Sequence, residues 1–189
     1  MGFTERSRPA RDAILTAARG RFTDEGYERT TIRAVAADAG QDPSMVMRYY
    51  GSKEGLFAAT VDLDLRLPDA ESPPDQLGAR LALHFIAIWE VEPARDALLV
   101  LLRSAATYPA AAQRMRAVFL DQVLAMVRRA TGDAEDAAVR AGLITSQVLG
   151  TALCRYVLAL PPMVAMDAQA LAAVLGPQLQ HCLTGPLNA

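Results

Sequence analysis

The histidines and cysteines of this 189-residue chain are the side chains best suited to bind a metal or attack a substrate, and there are two of each. His84, Cys154, His181 and Cys182 occur in neither CxxC nor HxxxH spacing, which argues against a structural zinc site. The simplest interpretation of both cysteines is that they are buried small hydrophobic residues, with a thiol redox switch as the alternative. We predict no metal and no cofactor.

Groups for acid–base or phosphate chemistry are equally sparse. The two histidines lie far apart in the sequence, and no pair of carboxylates stands in an apolar surround. No glycine-rich phosphate loop is present. The chain is therefore not expected to be an enzyme.

The distribution of charge suggests a different chemistry. Residues 1–53 hold nine Lys and Arg against seven Asp and Glu, whereas residues 54–189 hold ten against fourteen. The whole chain has a formal net charge of −2, which does not indicate a polyanion-binding molecule. The modest positive excess at the N-terminal end supports nucleic-acid binding only weakly by itself.

Helical periodicity predicts the elements that position the basic residues. Alanine and leucine supply about a third of the chain, and both favour helices over strands, so an all-α fold is expected. The first helix is predicted over residues 9–25. The second begins at Thr30 or Thr31, either of which can act as N-cap, and Gly40 ends it.

Two further helices follow directly. Asp42 is suited to N-cap a short third helix in which Pro43 occupies the first position, where its missing N–H has no consequence. Ser52 offers the next N-cap, and we expect the fourth helix to continue through Leu65 until Pro68 stops it.

The second and third predicted helices, joined by a short glycine-containing turn, have the layout of a helix-turn-helix. A helix about 10 to 12 Å across fits the DNA major groove, so the third helix would meet the base edges. Val46 and Tyr50 can face the first helix, which leaves the other side chains pointing outward. The alternative to a helix-turn-helix is that the third helix is a short connecting helix in an α-helical bundle. The outward residues are Ser44, Met45, Met47, Arg48 and Tyr49.

The residues of this region strongly resemble a known pattern. The runs TTIRAVAADAG at 30–40 and RYYGSKEGLF at 48–57 are similar to the N-terminal domain of the TetR family of bacterial transcriptional regulators. The resemblance covers residues 10–67. Asp42 replaces a serine that caps in the same way, and Met47 replaces a tyrosine that often contacts DNA. Positions that depart from the family pattern are Gln41, Asp42, Ser44, Met47 and Tyr50.

The resemblance implies roles for individual residues. Arg33 would contact a base or phosphate, with a solvated helix arginine as the alternative, and Tyr49 would meet the DNA backbone or else pack against the first helix. Lys53, the only lysine, would bind a phosphate at the N-terminus of the fourth helix, where free N–H groups favour an anion. The complete predicted DNA-binding set is Thr31, Arg33, Pro43, Ser44, Met45, Met47, Arg48, Tyr49 and Lys53.

Three arginines precede or begin the first helix. Arg6, Arg8 and Arg11 form an arm that either reaches a flanking groove or is simply solvated.

We assign residues 1–55 to the DNA-binding domain and residues 56–189 to a helical ligand-binding and dimerisation domain. A proline-rich linker is predicted over residues 68–75.

Five longer helices are predicted after the linker, which gives about nine in all. In the helix over 134–160, Gly142, Ser146, Gly150 and Cys154 form a row of small residues that lets another helix approach, within one subunit or across a dimer. The resemblance implies that the last two helices form the interface of a homodimer. The other four helices predicted after the linker span residues 77–92, 94–105, 110–131 and 167–183.

The central helices carry bulky and polar residues that could line a cavity for a small, largely apolar effector, although each of them is alternatively core or surface. These ligand-binding candidates are His84, Trp89, Arg103, Tyr108, Met115, Phe119, Gln122, Met126 and Gln147.

The sequence favours a cytoplasmic protein with no membrane contact, because its longest uninterrupted apolar run is far below the roughly 20 residues that span a bilayer, and residues 1–11 carry no apolar signal region. We predict a sequence-specific regulator, a repressor released from a palindromic double-stranded DNA operator by the effector. The alternative is a helical small-molecule-binding or scaffold protein without DNA-binding activity. Such a protein has no need for Arg33, Tyr49 and Lys53 together.

Overall fold

A computed structural model describes residues 8–68, 73–90 and 94–187 of the chain. The described residues form twelve α-helical segments and no strand, so the all-α prediction is confirmed. The helices are α1 Arg8–Asp24, α2 Gly26–Arg29, α3 Ile32–Asp38, α4 Pro43–Tyr50, α5 Lys53–Thr60, α6 Leu77–Glu90, α7 Ala94–Ser104, α8 Pro109–Val118, α9 Ala125–Thr131, α10 Ala137–Ala152, α11 Pro161–Ala165 and α12 Ala168–Thr184.

The chain forms two compact units. The first contains the described residues up to Leu63 together with Asp96–Ala112, and the second contains Asp64–Arg95 together with the residues from Gln113 onward. This division differs from the predicted one at residue 55. Sequence periodicity gives no sign that residues 96–112 rejoin the first unit, because such a helix has the same amphipathic pattern as any other.

The first unit is organised around α1. The predicted inward face is confirmed, since Ile14, Ala18 and Phe22 are completely buried. Arg21 fixes α3 against α1, because its Nε lies 2.5 Å from a carboxylate oxygen of Asp38.

The fourth predicted helix is too long. α5 ends at Thr60, and the chain from Asp62 to Pro68 is not helical. Its backbone groups bond to side chains instead of to a helical ladder: the Asp64 carboxylate accepts from the Arg66 amide at 3.1 Å, and the Gln122 side chain accepts from the Leu65 amide at 2.7 Å. Such local and tertiary acceptors compete with helix formation, and periodicity cannot show them.

The second unit is built on a close crossing of α6 and α12. A Cβ atom added to Gly78 would lie 2.5 Å from the Gln180 amide nitrogen and 2.6 Å from the Gly176 carbonyl oxygen. The Gly78 amide also donates to the Gln180 side-chain oxygen at 2.8 Å. Glycine is therefore needed at this crossing because the two backbones approach too closely for any side chain.

Arginine side chains satisfy helix C-termini in this unit. Arg140 donates from one nitrogen to the carbonyls of Cys182, Leu183 and Gly185 at the end of α12, and it pairs with Asp136 at 2.8 Å. Arg155 donates to the carbonyls of Met163 and Met166 around the end of α11. These contacts occupy carbonyls that a helix end leaves without partners.

Three helical features differ from the sequence prediction. The helix predicted over 110–131 contains a π-helical turn, Phe119–Leu124, and the one predicted over 134–160 begins later and ends in another, Leu153–Val157. Pro161 and Pro162 were predicted only to separate two helices, but a short helix, α11, begins at them because proline fits the first positions of a helix. Part of the predicted linker, residues 69–72, and the end of the helix predicted to residue 92 lie outside the described residues.

One helix, Ala137–Val157, is long and apolar enough to span a membrane by length and composition alone, with 22% of its most apolar window buried. Uninterrupted apolar runs do not reveal this helix, because polar residues and arginines interrupt its sequence. Core and interface helices pass the same test, and the segment carries both Arg140 and Arg155.

Candidate nucleic-acid interface

Side-chain caps build α3, the turn and α4 as the sequence predicts. The Thr31 hydroxyl accepts from the Ala34 amide at 3.1 Å, and the Asp42 carboxylate accepts from the Ser44 amide at 2.8 Å. Gly40 has a φ of 61°, a left-handed conformation that side chains disfavour, and it turns the chain between the two helices. These local signals confirm the helix-turn-helix geometry.

Two contacts fix which face of α4 points outward. Val46 is completely buried, and the Tyr50 hydroxyl donates to the Arg11 carbonyl of α1 at 3.2 Å. Both residues face inward as predicted. The side chains of Ser44, Met47 and Arg48 are consequently exposed.

The outward face of α4 carries a contact group that sequence reasoning missed. Arg48 Nη2 lies 3.0 Å from the sulfur of Met45 and 3.3 Å from the hydroxyl of Tyr49. The guanidinium carbon lies 5.1 Å from the centre of the Tyr49 ring. The i, i+3 spacing of Met45 and Arg48 is the sequence signal that could have predicted the first contact.

The remaining residues of the predicted DNA-binding set occupy the beginnings of three helices. Arg33 and Thr31 are exposed at the start of α3, and Pro43 is half-buried at the first position of α4. Arg33 has no hydrogen bond or ion pair with any part of the chain that the structure describes, which leaves its guanidinium available to an external anion.

Lys53 begins α5 directly after the Ser52 cap, whose hydroxyl accepts from the Gly55 amide at 3.0 Å. Its ammonium lies 4.3 Å from the centre of the Tyr27 ring and donates to the Glu28 carbonyl at 3.2 Å. The charge is thus held at the N-terminus of α5, where phosphate binding is favoured. Sequence reasoning did not foresee the role of Tyr27.

Tyr27 is itself fixed by its neighbours. Its hydroxyl donates to Glu54 at 2.9 Å, and its ring stacks on Tyr108 with centres 3.7 Å apart. Burial, together with hydrogen bonds to Tyr108 and Glu54, raises the pKa of Tyr27 well above its usual value. The hydroxyl therefore remains a protonated donor at physiological pH.

Of the predicted N-terminal arm, Arg6 lies outside the described residues. Arg8 is exposed at the start of α1. Arg11 is half-buried and accepts the Tyr50 hydrogen bond through its carbonyl, so at least its backbone is part of the packing of α4.

The predicted ligand-binding residues are divided between the two compact units. Tyr108 and Arg103 belong to the first compact unit, where Arg103 donates to the Thr23 carbonyl at 2.9 Å. Gln147 is exposed on α10. The others belong to the second unit, where Met126 is buried and Met115 and Phe119 are half-buried.

His84 and Gln122 have a partner that the sequence did not suggest. His84 Nε2 lies 2.6 Å from the carbonyl of Leu65, and the amide of Leu65 donates to Gln122. Both side chains hold the backbone of the segment after α5. A ligand that used either group would have to replace a hydrogen bond to Leu65.

Trp89 is buried and stacks on Tyr156, with ring centres 4.9 Å apart and planes 2° from parallel. The Tyr156 hydroxyl is buried and finds no hydrogen-bond partner among the described residues. Burial raises the pKa of Tyr156, so the hydroxyl keeps its proton. Sequence reasoning singled out Trp89 but not Tyr156, although unpaired buried donors of this kind mark candidate ligand contacts.

The described part of the chain contains no group of three or more His, Cys, Asp or Glu that could hold a metal ion. Cys154 and Cys182 are free thiols, and Cys182 is buried. Burial raises the pKa of Cys182, which makes it a poor thiolate.

Comparisons with family models match both parts of the chain. Residues 14–60 match the model described as bacterial regulatory proteins, tetR family, and residues 75–183 match the model of the tetracyclin repressor-like C-terminal domain. None of the curated proteins compared with the chain matches it.

Solved structures show the same fold. A TetR-family regulator from Streptomyces coelicolor is 28% identical with a TM-score of 0.63, covering 97% of this chain and 99% of its own. NalD, the secondary repressor of the MexAB-OprM multidrug efflux pump in Pseudomonas aeruginosa, is 21% identical with a TM-score of 0.73, covering 95% and 98%. The SmeT–triclosan complex is 22% identical with a TM-score of 0.69, covering 95% and 98%.

Proposed function

The chain belongs to the tetR family of bacterial regulatory proteins, and on this premise we propose that it is a homodimeric repressor that a small apolar effector releases from a palindromic operator. As a member it is a transcriptional regulator with an N-terminal helix-turn-helix DNA-binding domain and a C-terminal ligand-binding domain. We propose no catalytic activity and a cytoplasmic location, where its DNA would be.

One observation carries the proposed operator contact. Val46 and Tyr50 fix the inward face of α4, so that Ser44, Met47 and Arg48 present the opposite face to solvent. A helix held in this way can enter a major groove with its side chains directed at base edges. A scaffold protein has no use for such an arrangement.

The homodimer is supported by an exposed apolar stripe along α10 and the π-helical turn after it. Val139, Leu143, Ser146, Gly150 and Leu153 are all exposed and follow a four-three spacing, the pattern of a helix that packs against another. A Cβ atom at Gly150 would meet nothing within 4 Å, so the protomer leaves this surface uncovered. On α12, Val174 is 53% exposed.

The effector is proposed to bind in the second unit near Trp89 and Tyr156. The stacked rings supply apolar surface, and the unpaired Tyr156 hydroxyl would donate a hydrogen bond to an acceptor on the ligand. An apolar molecule with one or two acceptor groups fits this chemistry.

Footprinting tests the proposed function. Purified protein and the DNA flanking its own gene should give a protected palindrome whose half-sites lie about one helical turn apart or somewhat more. Protection of no discrete segment, at low salt and with protein in excess, would reject a local operator.

A titration tests the effector. By linkage, the operator must weaken binding of an effector by the same factor by which that effector weakens DNA binding. Equal effector affinity with and without operator would show that the C-terminal domain does not regulate DNA binding.

A further inference from the structure

Arg48 occupies the centre of the exposed face of α4. With 3.6 residues per turn, Arg48 lies about 200° and Ser44 about 160° around the helix from the buried Val46. When a helix lies in the groove, a long side chain opposite its buried face can extend to the base edges on the floor, whereas side chains on the helix flanks lie nearer the phosphates on the walls. The position of Arg48 therefore favours a base over a phosphate.

Two neighbours already restrain the Arg48 guanidinium in the free protein. The Met45 sulfur and the Tyr49 hydroxyl both contact Nη2, at 3.0 and 3.3 Å, and the Tyr49 ring lies beneath the group. No carboxylate in the described ranges pairs with Arg48. Arginine has five donors, and those on Nε and Nη1 make neither of these contacts. Nη1 and Nη2 together can meet a pair of external acceptors when Nη2 exchanges one of its two contacts.

We propose that Arg48 recognises a guanine in each operator half-site, and that Met45 and Tyr49 are positioning residues that orient its guanidinium toward that base. The proposal rests on the proposed function, since it assumes that α4 enters the major groove. Guanine is the base that presents two acceptors there, N7 and O6, in a spacing that matches the planar guanidinium. Because Arg48 is already restrained in the free protein, its side chain loses less conformational entropy when it contacts DNA.

Tyr49 thereby has a second role beside any contact with the DNA backbone. A backbone contact changes affinity for all sequences alike, whereas orientation of Arg48 changes the preference for one base. The two roles can be separated by measuring the preference for guanine rather than the affinity alone.

The experiment begins with selection of binding sites by the full-length protein from a random double-stranded library. Each guanine of the enriched site is then replaced by 7-deazaguanine, which removes the N7 acceptor. We expect one position per half-site at which this replacement weakens binding by about 5-fold or more, the lower end of the discrimination of a good arginine–guanine pair. In Arg48→Ala the same replacement should change the affinity by less than about 2-fold, since the partner is gone.

The positioning residues are tested with conservative variants. Tyr49→Phe removes the hydroxyl and keeps the ring, and Met45→Leu removes the sulfur. Both should reduce the 7-deazaguanine penalty. Met47→Leu is the matched control, because Met47 is exposed on the other flank and has no contact with Arg48. Whatever it does to overall affinity, it should retain the full penalty.

The possible failures are distinct. If the library yields no enriched sequence, the proposed function fails. An enriched site without a guanine that depends on N7 and on Arg48 overturns the base assignment. If Tyr49→Phe weakens binding to every sequence equally and leaves the penalty intact, Tyr49 contacts only the backbone and its positioning role is wrong. A full penalty in Met45→Leu rejects the same role for Met45.

Discussion

Lys53 is held by its neighbours at the position where we propose that it binds a phosphate. Its ammonium is held by the Tyr27 ring and the Glu28 carbonyl at the N-terminus of α5. The restraint keeps the charge at the helix N-terminus, where a phosphate would gain both an ionic contact and a favourable dipole. Lys53 is therefore expected to contribute to DNA affinity without selecting a sequence.

Lys53→Ala should weaken binding to operator and random duplexes alike. The slope of log affinity against log salt should become less steep by about one, because one phosphate contact and its released counterion are lost. Fluorescence anisotropy over a salt series measures both quantities, with Lys53→Arg as the charge-retaining control. An unchanged slope would remove Lys53 from the interface.

Asp42 gives the start of α4 a pH dependence. Hydrogen bonds from the side chain and amide of Ser44 hold the pKa of the Asp42 carboxyl below its ordinary value of 3.8. A lowered pKa in the folded state means that the carboxylate stabilises the fold above this ordinary value. The contribution is lost as the pH falls through the lower pKa of the folded protein.

Asp42→Asn should lessen this acid sensitivity, since asparagine also caps helices but does not titrate near this pH. In urea unfolding between about pH 5 and pH 2, the wild-type free energy should fall more steeply than that of the variant. Asp12→Asn, which changes an exposed α1 carboxylate that caps no helix, is the control. Parallel curves for wild type and Asp42→Asn would contradict the account.

At the scale of the elements, the helix boundaries that depend on neighbouring residues were predicted better than those that depend on residues distant in sequence. The caps Asp42 and Ser52 were predicted correctly, and Thr31 was one of two predicted candidates, because an N-cap acts within three residues of itself. The end of α5 was not, because the backbone of Leu65 bonds to His84 and Gln122, which are distant in sequence.

The same difference between local and tertiary features applies to the candidate sites. The inward face of α4 and the exposure of Ser44, Met47 and Arg48 follow from helical periodicity and were predicted correctly, but Met45 and Tyr49, also predicted to point outward, are half-buried. The ligand-binding set was chosen by residue type alone, and type does not show that Tyr108 stacks on Tyr27 or that the Tyr156 hydroxyl lacks a partner. Contacts between residues that are distant in sequence are a tertiary property, and a single sequence does not predict them.

The crossing of α6 and α12 provides a test of packing. Gly78→Ala would place a Cβ atom against backbone atoms that cannot rotate away, so we expect a loss of about 1–3 kcal/mol in the free energy of unfolding. Chemical denaturation measures it.

Gly20→Ala is the control, because a Cβ atom there meets nothing within 4 Å and the helix gains about 0.5–1 kcal/mol. A Gly78→Ala protein as stable as the wild type would show that the two helices can separate at no loss.

At the scale of the whole molecule, the proposed dimer interface consists of the stripe along α10 and the exposed Val174 of α12. Gly150→Glu and Val174→Glu should each give a monomer that keeps its helical circular dichroism, because a charge in a dry interface is left unpaired. Leu175 is unsuitable as a probe, since it is buried inside the protomer.

Analytical ultracentrifugation at micromolar concentration measures the assembly. Gln113→Glu, on the exposed surface of α8, should remain dimeric as the control. Dimeric Gly150→Glu and Val174→Glu proteins would place the interface elsewhere, and a monomeric wild type would refute the dimer.

The central claim is that α4 gives the whole dimer a preference for one DNA sequence. The most direct test is to titrate the selected palindrome and a scrambled duplex of the same composition with wild-type protein at one fixed salt concentration. We predict binding of one dimer per palindrome, tighter than binding to the scrambled duplex by about 10³-fold or more. Equal affinity for the two duplexes would contradict the account.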